Sequence, residues 1–323
     1  MNLEQINKLI ERDMNDVNQS IMSNLDSKVS LINNLGLHII NSGGKRIRPI
    51  IAILSARSVD YHGKLHITNA ALIEFIHTAT LLHDDVVDES SIRRGKVTAN
   101  IEFGNSFSVL SGDYIYTKAF QMMASIGSIR IVSLISKAIN IIIEGEVLQL
   151  INCKNLDISE KDYMNVIYKK TACLFEVAAQ SAAIISNANV IQEKALKKYG
   201  MHIGMAFQLI DDILDYCSNN KKIGKNTGKD LKEGKITLPL LHAIRNSTPQ
   251  EKKIIYKSVK EGNDIKLMQP ILDIMNQYGS LDWTRIIAEH EINKAIDALN
   301  FLPKNQWSDA LKLIANISIN RKH

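Results

Sequence analysis

Apolar residues recur every three to four positions over long segments of this chain. Ile, Leu, Ala and Met set that period over residues 70–88, 107–124, 130–151, 161–186, 190–216 and 280–299. Each segment predicts an amphipathic or buried α-helix. No series of alternating apolar and polar segments separated by hairpin turns is present. Proline is scarce, five in all. Pro49 and Pro239 each follow a Gly/Lys-rich stretch and open an apolar segment, the place proline takes at a helix start. By the same reading Pro249, Pro270 and Pro303 fall at helix edges. There is no Pro/Ser/Gly linker, low-complexity segment or solenoid period. The pattern predicts an all-α fold, a single helical-bundle domain over residues 1–323.

Composition narrows the class. The 323 residues are 45% hydrophobic and 23% charged, ample for a large core. A net charge of +5 without a dense basic run gives no footing for nucleic-acid binding, and a small anionic ligand suits it as well. The opening residues lack the basic start and apolar run of a signal peptide. The most apolar stretch, 131–151, is broken by Lys137, Glu144 and Glu146, which a membrane-spanning helix rarely tolerates. Three scattered cysteines, Cys153, Cys173 and Cys217, predict buried thiols in a reducing cytoplasm.

One short pattern occurs twice. "HDDVVD" at 83–88 and "IDDILD" at 210–215 both read D-D-x-x-D within apolar helical sequence. With Asp at roughly 6% of residues, a single copy arises by chance in about 7% of chains this long, so one alone is weak evidence. Two copies on packed helices are much harder to dismiss as solvated acidic faces. On a helix Asp84 and Asp88 share a face, as do Asp211 and Asp215. Asp85 and Asp212 sit about 100° round, at its edge. Carboxylates among apolar neighbours are costly without compensating cations or donors. Oxygen-only ligands without nearby His or Cys favour Mg²⁺, whose shell is completed by water and substrate phosphate. Two facing acidic helices could hold several Mg²⁺ ions around a diphosphate.

Cationic loops accompany the aspartates. "SGGKRIRP" at 42–49 offers Lys45, Arg46 and Arg48 ahead of Pro49 and a helix N-terminus, which favours an anion. Taken alone, such a loop is more often simply solvated. His77 lies two turns before Asp84, and alone reads as a core histidine. Arg93 and Arg94 follow the first motif, and arginine suits bidentate phosphate contact. Residues 221–239 follow the second with Lys225 and Lys235.

These residues together resemble the trans-polyprenyl diphosphate synthases. GGKRIRP, DDVVD followed by RRG, KT at 170–171, FQLIDDILD and the GKxxGxDLxEGKxTLPL stretch carry the resemblance across essentially the whole chain, nearest to bacterial octaprenyl diphosphate synthases. It implies an isoprenoid-synthase helical bundle around a deep central cavity, and a homodimer. It also implies repeated condensation of isopentenyl diphosphate onto an allylic diphosphate, farnesyl diphosphate above all, giving an all-trans C40 product for the ubiquinone or menaquinone side chain. By motif, Asp84, Asp88 and Asp211 would ligate Mg²⁺, two to three ions, with Asp85, Asp212 and Asp215 beside them. Lys45, Arg48, His77 and Arg94 would bind isopentenyl diphosphate. Arg93, Lys170, Lys225 and Lys235 would hold the allylic diphosphate, and Thr171 and Gln208 would line the reacting carbons. The enzyme would be cytoplasmic and pass its product to membrane enzymes.

The positions five and four before Asp84 are Ala79 and Thr80, about one turn down a product tunnel. In short-chain relatives aromatic residues close the tunnel there, so small residues imply a longer product. Phe120, Met122, Met123 and Ala124 are candidates for a deeper floor, of which Met123 is preferred; such residues at helical spacing are usually core. A synthase of another chain length is the nearest alternative. A class I terpene cyclase needs no second basic pocket and carries a different second metal motif. A non-catalytic synthase subunit commonly loses the aspartate motifs, both of which stand here.

Overall fold

The computed structural model describes residues 2–33, 44–93, 95–217, 228–261 and 265–321. The architecture is all-α. Helix α1 (Leu3–Leu9) starts at a reciprocal cap in which Asn2 accepts from the Gln5 amide and Gln5 from the Asn2 amide. Helices α2 (Glu11–Leu25), α3 (Ile47–Ser58) and α4 (Leu65–Val87) follow. Two-residue strands β1 (Ile92–Arg93) and β2 (Lys96–Val97) then pair antiparallel, with Arg93 opposite Lys96. Next come α5 (Ala99–Phe103), α6 (Asn105–Ser125) and α7 (Ile129–Asn152). Helix α8 (Glu160–Ile167) continues through a π-helical turn, Tyr168–Ala172, into α9 (Cys173–Ile185). The chain ends with α10 (Val190–Tyr216), α11 (Lys229–Lys232), α12 (Leu238–Asn246), α13 (Pro249–Glu261), α14 (Ile265–Gln277), α15 (Ser280–Ala298), a 3₁₀ turn (Leu299–Phe301) and α16 (Gln306–Ile319).

All six periodic segments are helical, within a few residues of the bounds their apolar pattern predicts. Among the described residues no helix is long and apolar enough to cross a membrane. Two expectations fail. Pro270 stands inside α14 rather than at its edge. Its missing N–H forgoes one backbone bond near the helix start, and burial of Met268, Ile271, Ile274 and Met275 secures the remainder. Of the cysteines only Cys173 is buried. Cys153 is half-buried, and Cys217 is exposed because it stands just past the last turn of α10.

The chain packs as two compact units. The first comprises Met1–Ile139, Val177–Lys197 and Asn300–Leu313; the second Asn140–Glu176, Lys198–Leu299 and Ile314–His323. In the first, α4 lies along α6 and also against α2 and α3. Ile51, Ile53, Leu54, Leu72, Ile73, Ile76 and Ile115 form its fully buried centre. In the second, Phe175, Tyr199, Ile203, Leu209, Ile213, Leu240 and Ile271 are buried. Here Gly204 of α10 lies so near the π turn that a β-carbon would stand 2.6 Å from Ala172 Cα. Only glycine permits that approach.

One ion pair ties the first unit's helices together. Arg57 donates to both oxygens of Asp13, Nε at 2.8 Å and Nη2 at 2.7 Å. His66 Nε2 stands 3.2 Å from the same carboxylate, its angles outside those of a hydrogen bond. Burial works against ionisation of Asp13, but His66 and Arg57 outweigh it and hold the carboxyl well below the usual range. A carboxyl depressed in the folded state adds stability that is present at neutral pH and lost on acidification. Replacing Arg57 by Ala strands the carboxylate and should destabilise the protein by about 3 kcal/mol at pH 7. Thermal unfolding of wild type and Arg57→Ala checks this: the gap should narrow as pH falls below about 4.

Candidate active site

The first aspartate motif closes α4. Asp88 is the residue that caps the helix, and its amide still donates to Asp84 O at 2.8 Å, so the two aspartates remain one turn apart. Asp84 and Asp88 are half-buried. Asp85 is 4% exposed. The rotation of about 100° per residue turns the middle aspartate inward. Arg93 meets it there, with Nε and Nη2 each 2.9 Å from Asp85 Oδ1, and Asn100 Nδ2 donates to its backbone carbonyl at 3.1 Å. The β1–β2 ribbon positions Arg93, a local structure the polar ESSI stretch does not announce. Arg94 lies outside the described residues.

In the same unit Arg48 is 9% exposed on α3, and its Nη1 lies 3.2 Å from His77 Nε2 on α4. Two groups expected to bind one diphosphate therefore stand side by side. Lys45 is exposed at the approach to α3. Arg46 adopts the left-handed conformation at φ 44° as the residue before the helix, and its side chain reaches Glu74 at 3.5 Å. Gly43 lies outside the described residues. Ala79 is fully buried, while Thr80 is half-buried with its hydroxyl donating to His77 O at 2.7 Å. On α6 Met122 and Met123 are buried, whereas Phe120 and Ala124 fall on the exposed face.

The second motif lies on α10, in the other unit, with the same distribution of burial. Asp211 and Asp215 are half-buried and Asp212 is 2% exposed. Asp212 Oδ1 accepts from Gln208 Nε2 at 2.8 Å, and Oδ2 accepts from the phenol of Tyr163 on α8. Gln208 Oε1 accepts from the Thr171 hydroxyl at 2.7 Å. Asp215 accepts from the amides of Lys229 and Asp230 at 3.0 and 3.1 Å, which fixes the start of α11. Lys170, in the π turn, donates to Glu146 at 2.6 Å and Gln149 at 2.7 Å. Gly145 of α7 makes that approach possible, since a β-carbon there would meet Lys170 N at 2.8 Å. Lys235 stands 2.7 Å from Glu233. Lys225 lies outside the described residues.

The unit thus gathers carboxylates beyond those in its motif. Asp230 stands half-buried beside them. Burial, then its charge, pushes Asp212 up well above the usual carboxylate range. The same two causes push Asp215 up to about 7. Asp230 is itself raised, by burial first, with Lys235 opposing. A carboxylate cluster that disfavours its own charge is one that a cation stabilises. Among the described residues no group of three acidic, His or Cys side chains forms a ready-made cage. Mg²⁺ needs none, because it keeps water and takes substrate oxygens for most of its shell. The donor set fits that ion.

Three residues have no counterpart in the sequence reading. Arg321, after α16, donates to Asp211 Oδ1 at 2.9 Å and to Phe207 O at 3.0 Å, with its guanidinium 3.7 Å from the Phe207 ring centroid. Tyr163 and Asp230 complete the set. They stand 110, 49 and 15 residues from their partners. Only Asp230 carries a sequence signal, as the aspartate of the GKxxGxDLxEGKxTLPL stretch.

Comparison with known proteins places the chain in a family. The family model described as polyprenyl synthetase matches residues 29–275. The octaprenyl diphosphate synthase of Escherichia coli K12 is 56% identical over 321 residues, 99% of each chain. The crystal structure of a decaprenyl diphosphate synthase from Rhodobacter capsulatus superposes with a TM-score of 0.95 at 38% identity, covering 99% of both chains. A polyprenyl synthase from Caulobacter crescentus, solved with calcium and isoprenyl diphosphate, gives 0.95 at 38% identity, covering 100% of this chain and 98% of its own. With that family model matching most of the chain and a relative 56% identical over nearly its full length, this protein belongs to the polyprenyl synthetase family.

Proposed function

We propose that this protein is a prenyltransferase that condenses isopentenyl diphosphate repeatedly onto an allylic diphosphate, farnesyl diphosphate first. Its product is the all-trans octaprenyl (C40) diphosphate that becomes the side chain of ubiquinone or menaquinone. The paired D-D-x-x-D motifs, each with its outer aspartates accessible and its middle one anchored, carry this reading. The 56% identity with the octaprenyl diphosphate synthase of E. coli, over 99% of both chains, supports the chain length.

When bound through Asp84, Asp88 and Asp211, Mg²⁺, two to three ions, supplies the positive charge a departing diphosphate requires. The protein's own cations share that task. Arg93, Lys170, Lys225 and Lys235 hold the allylic diphosphate, and Lys45, Arg48, His77 and Arg94 hold isopentenyl diphosphate. The allylic C–O bond breaks with its electron pair leaving on the diphosphate. The double bond of the isopentenyl unit attacks the allylic cation, and the proton then lost passes to the released diphosphate. Oxygen dipoles of Thr171 and Gln208 steady the cation in a site that must exclude water. The protein works as a cytoplasmic homodimer, one polyprenyl synthase domain per chain, and hands its product to membrane enzymes. The growing chain runs past Ala79 and Thr80 toward Met123.

Incubation with farnesyl diphosphate, labelled isopentenyl diphosphate and Mg²⁺ should give a product that chromatographs as C40; absence of label in any prenyl product overturns the reading. Asp84→Asn and Asp211→Asn should each lower kcat at least about 100-fold with the helical circular dichroism unchanged. Ala79→Tyr should shorten the product. Because Ala79 is fully buried, the added ring should also cost about 1–3 kcal/mol, so product length is read well below the variant's unfolding temperature.

A further inference from the structure

We propose that Tyr163 and Asp212 are positioning residues that dictate which atoms Gln208 and Thr171 turn toward the reacting carbons. This rests on the prenyltransferase reading and goes beyond it, because it assigns Asp212 to orientation and adds Tyr163 to the machinery.

The polarity of the chain of hydrogen bonds follows from what each group can donate. A phenol has one proton, and that of Tyr163 goes to Asp212 Oδ2. Asp212 Oδ1 faces the NH₂ of Gln208 at 2.8 Å, so each of its oxygens stands against a donor. The amide oxygen of Gln208 is thereby turned to Thr171, 2.7 Å away. Oxygen against hydroxyl leaves one arrangement: Thr171 donates its single proton to Gln208. With that proton engaged, the Thr171 oxygen has only lone pairs for any other neighbour. A neighbour that develops positive charge then meets the negative end of the hydroxyl dipole.

Burial and backbone hold this network in one state. Tyr163 is 4% exposed and Asp212 2%, so neither exchanges partners with bulk water, and Thr171 is 7% exposed. Gln208 and Asp212 are one turn apart on α10. Thr171 sits in the π turn that follows the helix bearing Tyr163. Both ends of the network therefore belong to one continuous stretch, α8 and the turn, and its middle to α10. Asp212 is the middle aspartate of the motif, turned away from the accessible face that Asp211 and Asp215 share.

Tyr163→Phe keeps the ring and removes only the first donor. With farnesyl and isopentenyl diphosphates, kcat should fall about tenfold, the worth of one hydrogen bond of about 1.4 kcal/mol, with both KM values and the Mg²⁺ dependence unchanged. In a Thr171→Val background, Tyr163→Phe should cost less than twofold, because the hydroxyl it orients is gone. In a Thr171→Ser background, which retains the hydroxyl, the full tenfold effect should return. An unchanged kcat in Tyr163→Phe, or the same tenfold loss in the Thr171→Val background, overturns the proposal and leaves the prenyltransferase reading standing. A wild-type enzyme that forms no prenyl product overturns both.

Discussion

Negative charge on packed helices is the constraint on which the rest of this structure turns. A carboxylate among apolar neighbours is costly unless donors or cations attend it. Each aspartate motif meets that cost in the same two ways. Its middle residue goes inward and is met by protein groups, Arg93 for Asp85 and Tyr163 with Gln208 for Asp212. Its outer residues stay half-buried, one turn apart on a shared face. Helix geometry makes the division, since residues i and i+4 share a direction and i+1 does not.

The surrounding structure reads as support for that division. The π turn at Tyr168–Ala172 carries Lys170 and Thr171 together, an irregularity of the kind that recurs at functional sites. Gly145 and Gly204 let two helices approach it more closely than any side chain would allow. Asp215 is bound to the amides that open α11, so that helix is fixed to the motif itself. Arg321, after α16, donates to Asp211. Positive groups assigned to diphosphate are held meanwhile by acidic or polar neighbours, as Lys170 is by Glu146 and Gln149.

Much of this was legible in the residues. Apolar periodicity located the long helices, and the doubled D-D-x-x-D with its flanking cations named the chemistry. The errors are local. Proline breaks helices in isolation, which places Pro270 at a helix edge, yet burial of one apolar face holds α14 through it. Free cysteine is usually buried, yet Cys217 is exposed one residue beyond its helix.

The sequence by itself determined the class of fold, the location of the acidic and basic groups, and the face that the outer aspartates of each motif share. Those properties are local: period, spacing and side-chain chemistry decide them within a turn or two of helix. The tertiary structure decided which partner each buried group received. Tyr163 for Asp212, Arg321 for Asp211 and Arg57 for Asp13 come from 49, 110 and 44 residues away. No spacing rule spans such distances. The pairing exists because packing brings separate helices within hydrogen-bond reach, where a buried charge must find a donor or go unsatisfied.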